Sequence, residues 1–533
     1  MVGAIMTIRD KLHDFFTKGK ISMGFGKSLA NITDDPRVNL PVSEITRIRE
    51  DLDYYSDVFA DVHFYNTNNE RRQRKLSTLS VTHQAARKLA SVIFNEQVTV
   101  SVTGENIDTF INSVLTDNLF NLKYEEYLET GIATGGFAIR PYVDNNKIKL
   151  AWVRADQFVP LQSNTNDIQS AVIVNRTTKS ENNKTVWYSL LEFHEFDGIS
   201  EETITNELYR SENVGEIGQQ VNLTVLDEFA DLPEQAVISD IVRPTFAYFK
   251  TPGKNNKSIE SPLGIGIVEN NKHVINAINT AQDQFHREVK LGKRRIAIDG
   301  SLMKPSTSHA GDEINQGYPV FDTDDDVFMQ VGKTKDGKPI IEDLTNDIRV
   351  QQYNDSLQVF MREFENNIGL SQGTLSTDAT KSDKTATEVV SDNSETYRTR
   401  SSYITQVEKQ IKELIISIVQ LATKPELFDN QKALLSVDLV NNPLEINLHF
   451  DDGVFVDKDK QLEEDLKVAM AGFMPKKQFL MRNYGLSEDD ADKWLAELQS
   501  EAPETDNMSD EQAGMLGGND GDDNTDNSGG NDE

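Results

Sequence analysis

Gly369-Leu370-Ser371-Gln372-Gly373 has the G-x-S-x-G spacing of a nucleophile elbow, where a strained strand-to-helix turn exposes a serine hydroxyl for acyl transfer. The apolar series before it (Leu344, Ile348, Leu357, Phe360, Met361, Phe364, Ile368) steps mostly by three and four and predicts a helix instead of a strand. A serine that follows a helix and precedes a polar loop lacks the strain this chemistry needs. Two fragments, Phe25-Gly26-Lys27-Ser28 and Val331-Gly332-Lys333-Thr334, end like a phosphate-binding loop, but Ile21 and Val327 stand where its first glycine must turn. Asp322, Asp324 and Asp326 alternate as in a calcium loop, yet Val327 replaces the turn glycine and no acidic residue closes the loop. The eight histidines show no zinc spacing, and there is no cysteine to supply a thiolate. No complete catalytic set emerges, and neither a metal nor a cofactor is expected.

Charge offers a different chemistry. Basic residues cluster at Arg71, Arg72, Arg74 and Lys75, and again at Lys290, Lys293, Arg294 and Arg295. Each cluster reads either as a solvated helix face or as a contact for nucleic acid. The whole chain argues against a broad phosphate grip, because 54 Lys and Arg against 87 Asp and Glu leave a net charge of −33. Such a surface still suits a protein that lets a polyanion pass without holding it. The longest strongly apolar run, 414–422, is far shorter than the ~20 residues of a membrane span, and no secretory segment opens the chain. A soluble, intracellular protein without a membrane is expected.

The elements that must position these groups follow from periodicity. Residues 1–41 read as an arm, and helices are predicted from Val42 and over 71–94. A strand at 97–102 and a helix around Leu122 to Ile132 come next. Hairpins are expected where 137–143 and 147–153 flank Asp144-Asn145-Asn146, and where 171–176 and 185–193 flank 181–183. Residues 197–240 look acidic and irregular, with one more strand near 204–209. Two helices of ~27 residues, 265–291 and 342–368, would each reach ~40 Å and pair antiparallel around an insert at 293–341. Between Gly369 and Lys384 the chain is nearly all Ser, Thr, Gly, Asp and Lys, and Thr385 to Glu388 then reads as a capping box for a helix ending before Pro425. A strand candidate at 444–450, three short helices (460–471, 475–483, 488–499) and a tail from Glu501 with 11 acidic and no basic residues complete the chain. The tail is disordered by composition.

The order of these elements resembles that of the portal proteins of tailed bacteriophages, in particular those of phages of Gram-positive bacteria. The stretches that carry the likeness are ARKLASVIFNEQ (86–97), ETGIATGGFAIRPYVDNNKI (129–148), SPLGIGI (261–267), REVKLGKRRIAI (287–298), NNIGLSQGTLS (366–376), KTATEVVSDNSETYRT (384–399) and DDGVFVDKD (451–459). The resemblance implies an α+β, portal-type fold with a mixed α/β wing (42–264), an antiparallel two-helix stem (265–292 and 342–368) and a small β-rich clip (293–341). It further implies a tunnel loop (369–384), a long helix (385–424) and a helical crown (425–500), followed by the acidic tail (501–533).

The same resemblance implies a homo-oligomeric ring, usually of twelve subunits, at one capsid vertex of a virion assembled in the host cytoplasm. Double-stranded DNA would enter through its channel, driven by the terminase large subunit, and leave the same way. Major capsid and scaffolding proteins and head-completion or connector proteins would be its other partners. The portal itself has no hydrolytic chemistry in this family. Ser371, Gln372, Thr374, Ser376, Thr377, Asp378, Thr380, Lys381, Ser382 and Lys384 would then face the channel, with Lys290, Lys293, Arg294 and Arg295 at the clip end of the stem. An acidic body would repel the duplex and keep it centred, while Lys381 and Lys384 touch it weakly and Asp378 opposes retention. The alternatives are another virion structural protein that uses its long helices for assembly only, an enzyme such as a packaging ATPase or nuclease, and a generic acidic scaffold.

Overall fold

The computed structural model of the chain describes residues 27–65, 69–94, 98–161, 167–292, 296–299, 328–331, 341–343, 347–376, 394–450, 458–484, 486 and 488–501. The chain divides into two units, Met1–Asp451 and Asp452–Glu533. Strand β1 (Ser28–Leu29) and helix α1 (Val42–Tyr55) lead to the hairpin of β2 (Val62–Tyr65) and β3 (Arg71–Arg74). Helix α2 (Val81–Ile93), strand β4 (Thr99–Val102) and helices α3 (Glu105–Asp117) and α4 (Phe120–Thr134) follow. Next come β5 (Gly136–Asp144), β6 (Lys147–Arg154), β7 (Phe158–Pro160), β8 (Ser170–Glu181) and β9 (Lys184–Phe196). Strands β10 (Glu201–Ser211), β11 (Gly218–Val221), β12 (Gln235–Ser239) and β13 (Ala247–Lys250) precede helix α5 (Lys272–Leu291). Short strands β14 (Ile296–Asp299), β15 (Phe328–Val331) and β16 (Ile341–Asp343), helices α6 (Val350–Asn367) and α7 (Ser394–Ala422), and β17 (Ile446–His449) complete the first unit.

Asparagine pairs close the main hairpins. Asn145 and Asn146 have φ of 48° and 59°, and Asn182 and Asn183 have 48° and 62°. Two consecutive left-handed residues are what a two-residue type I′ turn requires, and asparagine tolerates that region. The registers Asp144↔Lys147 and Glu181↔Lys184 follow from those turns. The largest sheet runs β1-β11-β10-β9-β8-β7, with β12 beside the first half of β10. A second sheet, β13-β5-β6, carries the core of the unit on β5. Strand β14 lies between β15, parallel to it, and β16, antiparallel to it.

Helix α7 is the interior axis of the first unit. Tyr403, Val407, Ile411, Leu414, Ile415 and Ile418 are buried at three- and four-residue steps and join one core with α2, α3, α4 and β5. Each fully buried aliphatic side chain contributes about 1.5–3 kcal/mol. Buried polar residues on α7 and just beyond its end cap loose carbonyls. Gln410 Nε2 donates to Ala247 O (3.2 Å), Ser417 Oγ to Pro244 O (3.1 Å), Gln420 Nε2 to Arg243 O (2.8 Å) and Lys424 Nζ to Asp240 O (3.0 Å). These bonds satisfy backbone that would otherwise be buried without partners.

The glycine-rich stretches 129–136 and 261–267 meet as one joint at the head of α5. A Cβ on Gly264 would lie 2.1 Å from Gly135 O, and one on Gly266 would lie 1.8 Å from Ala133 O. The backbones touch, and Ile267 N–H donates to Ile132 O (3.0 Å) while Thr251 Oγ1 donates to Ile265 O (2.7 Å). Helix α1 clasps the same strap: Arg47 Nη2 donates to Gly264 O (3.1 Å), and Glu44 Oε2 accepts from Asn255 (2.7 Å) and Ser261 (2.9 Å).

Several expected boundaries move. The helix expected over 71–94 begins only at Val81, and Arg71–Arg74 is a strand paired with β2. Thr78 and Ser77 bond to Asp57 and Asp283 instead of continuing a helix, the competition to which such side chains and their backbones are prone. The strand expected near 204–209 is β10, while helix 105–117, overlooked in the periodicity, and the strands 218–221 and 235–239 replace expected irregular chain. Helix α5 starts at Lys272, after the segment 264–267 that the glycine joint pins to 132–135, and α6 starts at Val350, after the strand 341–343. At 20 and 18 residues they span about 30 and 27 Å, less than the expected 40 Å. Strand β17, grouped by sequence with the C-terminal helices, pairs instead with β4, far earlier in the chain. The capping box at 385–388, the P-loop-like fragment after Val331 and the Asp322 to Asp326 run lie outside the described residues, as does most of the acidic tail.

In the second unit α8 (Lys458–Met470), α9 (Lys476–Tyr484) and α10 (Glu488–Glu501) match the expected short helices. Gly472, at φ 79°, ends α8, and Arg482 and Asn483 of α9 both bond to Asp465 of α8.

Candidate nucleic-acid interface

Helices α5 and α6 form the expected antiparallel pair. His273 Nε2 lies 3.8 Å from a carboxylate oxygen of Glu363, the Phe285 and Tyr353 rings are 5.4 Å apart, and Glu288 binds Arg349. The Arg349 side chain donates to both Glu288 oxygens, Nη2 at 2.6 Å, and its backbone N–H donates to Oε1 at 3.0 Å. This arginine holds the Glu288 carboxyl down at about 2. At the other end of the pair, α6 closes in a Schellman motif: Leu370 N–H donates to Glu365 O (2.9 Å) and Gly369 N–H to Asn366 O (3.2 Å). Gly369 has φ +72°, and a Cβ there would sit 2.2 Å from Thr399 Oγ1 of α7. Both the conformation and the close approach demand glycine.

The chain beyond Gly369 folds back onto its own helix. Glu365 is 0% exposed, and its carboxylate collects the turn that follows. Gly373 N–H donates to Oε2 (3.2 Å), Ser376 N–H to Oε1 (2.8 Å), Ser376 Oγ to Oε2 (2.8 Å), and Leu375 N–H also donates to Oε1. Successive backbone N–H groups converging on an anion form a nest, here filled from within the chain. A second clasp links the turn to α7. Ser371 N–H donates to Thr396 Oγ1 (2.8 Å), Thr396 N–H donates to Ser371 Oγ (3.3 Å), and the two hydroxyls are 3.0 Å apart.

Ser371 and Ser376, expected as groups facing a channel, are therefore buried and hydrogen-bonded within the chain. Their short polar side chains answer backbone and carboxylate groups that would otherwise be orphaned. The nucleophile-elbow reading fails on the same geometry, since the Ser371 hydroxyl is bonded to Thr396, which is no base. Gln372 is exposed and Thr374 half-buried, its hydroxyl bonded to Ser371 O. Thr377, Asp378, Thr380, Lys381, Ser382 and Lys384 lie outside the described residues. Lys290 is exposed in the last turn of α5, where a cation complements the helix dipole, while Lys293, Arg294 and Arg295 lie outside the described residues. Of the other basic cluster, Arg74 is committed to a two-point pair with Asp283 of α5, whose carboxyl it lowers. Arg71 and Arg72 remain exposed on β3. Lys27, from the other P-loop-like fragment, is bound to Asp35.

Two buried ionic clusters lie away from this loop. His194 of β9 sits between Glu192 Oε1 (2.7 Å from Nε2) and Glu202 Oε1 (2.9 Å from Nδ1), with Arg140 2.9 Å from Glu192 and Thr245 N–H on Glu202. Burial disfavours the imidazolium, but the two glutamates outweigh it and raise His194 to about 9. Burial likewise works against the Glu192 anion, yet Arg140 and His194 hold it at about 2. On α1, burial pushes Asp51 up to about 8 against the pull of Lys272 and Arg47. These clusters join strands and helices. Among the described residues no group of acidic and histidine side chains could hold a metal ion, and no helix is long and apolar enough to cross a membrane.

Sequence reasoning missed Glu365 and Thr396. The signal was the carboxylate four residues before a helix-stopping glycine, followed by alternating Ser, Gly and Thr that can fold N–H groups around it. Asp283 was equally silent, because an acidic residue on an amphipathic helix looks solvated.

Comparison with known proteins places the chain. No curated protein sequence matches it. Among similar solved chains, one from the virion of a native gene transfer agent particle is 9% identical, with TM-score 0.36 over 76% of this chain and 89% of that one. One from the neck of an empty particle, computed with C6 symmetry, is 9% identical with TM-score 0.38 and the same coverages. A third, from the neck of the native particle computed with C12 symmetry, is 10% identical with TM-score 0.36 over 80% and 97%. The family model for phage portal proteins of the SPP1 Gp6-like type matches residues 42–504, most of the length, and the chain belongs to that family.

Proposed function

We propose that the protein forms a ring, of twelve copies, at one vertex of a phage capsid, and that double-stranded DNA passes through the ring's channel. A separate terminase ATPase drives the DNA in, and the same channel releases it. The ring also serves as the platform on which head-completion proteins and the tail assemble, with capsid and scaffolding proteins around it. The observation that carries this reading is the family match over 42–504. The antiparallel pair α5–α6 supports it, because the pair delivers the chain directly to the polar segment 369–384.

In this reading 42–264 is the wing, α5 and α6 are the stem, 293–341 is the clip, and the three C-terminal helices belong to the crown. A net charge of −33 keeps the duplex from adhering, since each neutralised phosphate would release counterions and slow its passage. Lys381 and Lys384 supply weak backbone contacts, and Asp378 opposes them. The protein acts by shape and charge, with hydrolysis left to its partner. Electron microscopy of the purified protein tests the ring: views along an axis with a central channel are expected, while sheets or closed shells would replace this reading by that of another virion component. In vitro packaging by particles carrying Lys381→Ala and Lys384→Ala is expected to show altered rate or retention. Wild-type behaviour removes the two lysines from the role.

A further inference from the structure

We propose that Glu365 is a positioning residue for the root of the DNA-channel loop: it locks residues 371–376 onto the end of the stem helix α6 and withholds their backbone donors from DNA. The inference rests on the reading of 369–384 as a channel loop. Its basis is the double clasp. Glu365 is fully buried and accepts from three backbone N–H groups and one hydroxyl between Gly373 and Ser376. Ser371 and Thr396 exchange bonds that tie the same turn to the first turn of α7. Gly369 brings α6 against Thr399, one turn further along α7.

Three consequences follow. The donors at 373–376 that could have gripped a phosphate are occupied by a carboxylate of the chain's own, so the root cannot hold DNA. A carboxylate so deeply buried is tolerable only because four donors satisfy it, which fixes the turn in one geometry. A load at Ser376 then reaches α6 and α7 together, because the clasp bonds the turn to both helices. Replacing Glu365 by Gln keeps shape and size but turns one acceptor towards the N–H groups into a donor, and the nest opens.

The test uses assembled rings of the full chain carrying Glu365→Gln, with Ser376→Ala as a milder variant that keeps the three backbone donors. Amide hydrogen exchange at Gly373, Leu375 and Ser376 is expected to accelerate by about 10–100-fold in Glu365→Gln, as charge-assisted bonds are lost. Ring formation should be unchanged, and DNA packaging rate or retention per assembled particle should fall several-fold, with Ser376→Ala intermediate in both readouts. Unchanged exchange would overturn the clasp. Faster exchange with wild-type packaging and retention would reduce Glu365 to a purely structural residue and overturn the proposal. If Glu365→Gln fails to assemble, Ser376→Ala decides by the same two readouts. Failure of the wild-type chain itself to form rings or support packaging would instead sink the portal reading and leave the exchange result standing.

Discussion

Substituting Gly266 by Ala isolates the cost of the backbone joint at the head of α5. Gly266 has no positive φ, so any loss comes from space alone. The new Cβ would begin 1.8 Å from Ala133 O and must retreat to at least 3.0 Å, a shift of about 1.2 Å against backbone that cannot swing aside. That shift breaks or stretches the Ile267–Ile132 bond and the Thr251–Ile265 bond. Each of the two weakened bonds costs about 1 kcal/mol, and overpacking adds about 1–3 kcal/mol, so a total near 3–5 kcal/mol is expected. The control is Gly253→Ala, at φ +95° with nothing within 4 Å, where the cost is conformational and about 1–2 kcal/mol. Urea unfolding followed by fluorescence of Trp152, which packs on Tyr127 and Phe137 in the same unit, reads both. The Gly266→Ala midpoint should fall by about 1–2 M and the Gly253→Ala midpoint by much less. Equal small shifts in both variants would refute the argument that 129–136 and 261–267 form one close-packed joint.

Three further outcomes rest on the buried polar groups. His194 is raised to about 9 from an ordinary 6.5, so its stabilising contribution is complete below pH 6.5 and disappears as pH rises through 9. The contribution is about 3 kcal/mol; melting temperature should fall between pH 7 and 9.5, and in His194→Gln that slope should flatten. Glu192 acts in the opposite sense, since its carboxyl is held at about 2, and its contribution is present above pH 4.5 and lost as pH falls towards 2. Gln410→Leu strands the Tyr124 hydroxyl, which donates to Gln410 Oε1 at 2.8 Å, along with the carbonyl of Ala247. A loss of about 2–4 kcal/mol is expected in the same urea assay, and a midpoint within error of wild type would show that water replaces the amide.

How much of this was legible depended on whether the cause was local. Asn145-Asn146 and Asn182-Asn183 announce their hairpins because the turn conformation is a property of those residues alone. The short helices of the second unit and the amphipathic stripes of α6 and α7 were readable for the same reason. The helix expected over 71–94 failed at its start because Arg74 and Ser77 are held by Asp283, more than two hundred positions away. Helix α5 began late because 264–267, where it was expected to start, are pinned against the backbone of 132–135. Strand β17 found its partner in β4, a pairing no local pattern records.

The candidate loop divides along the same line. Sequence alone determined that a helix stops at Gly369, that a polar segment follows, and that the chain carries a net charge of −33 with no cysteine. It also supplied the order of elements on which the family likeness rests. Only the tertiary structure decided that Ser371 and Ser376 face inward, because the deciding partners are Thr396 on another helix and the folded-back Glu365. A serine's type says that its hydroxyl must bond to something. Which something is settled by long-range packing, where an unsatisfied buried carboxylate would cost more than the turn loses by closing around it.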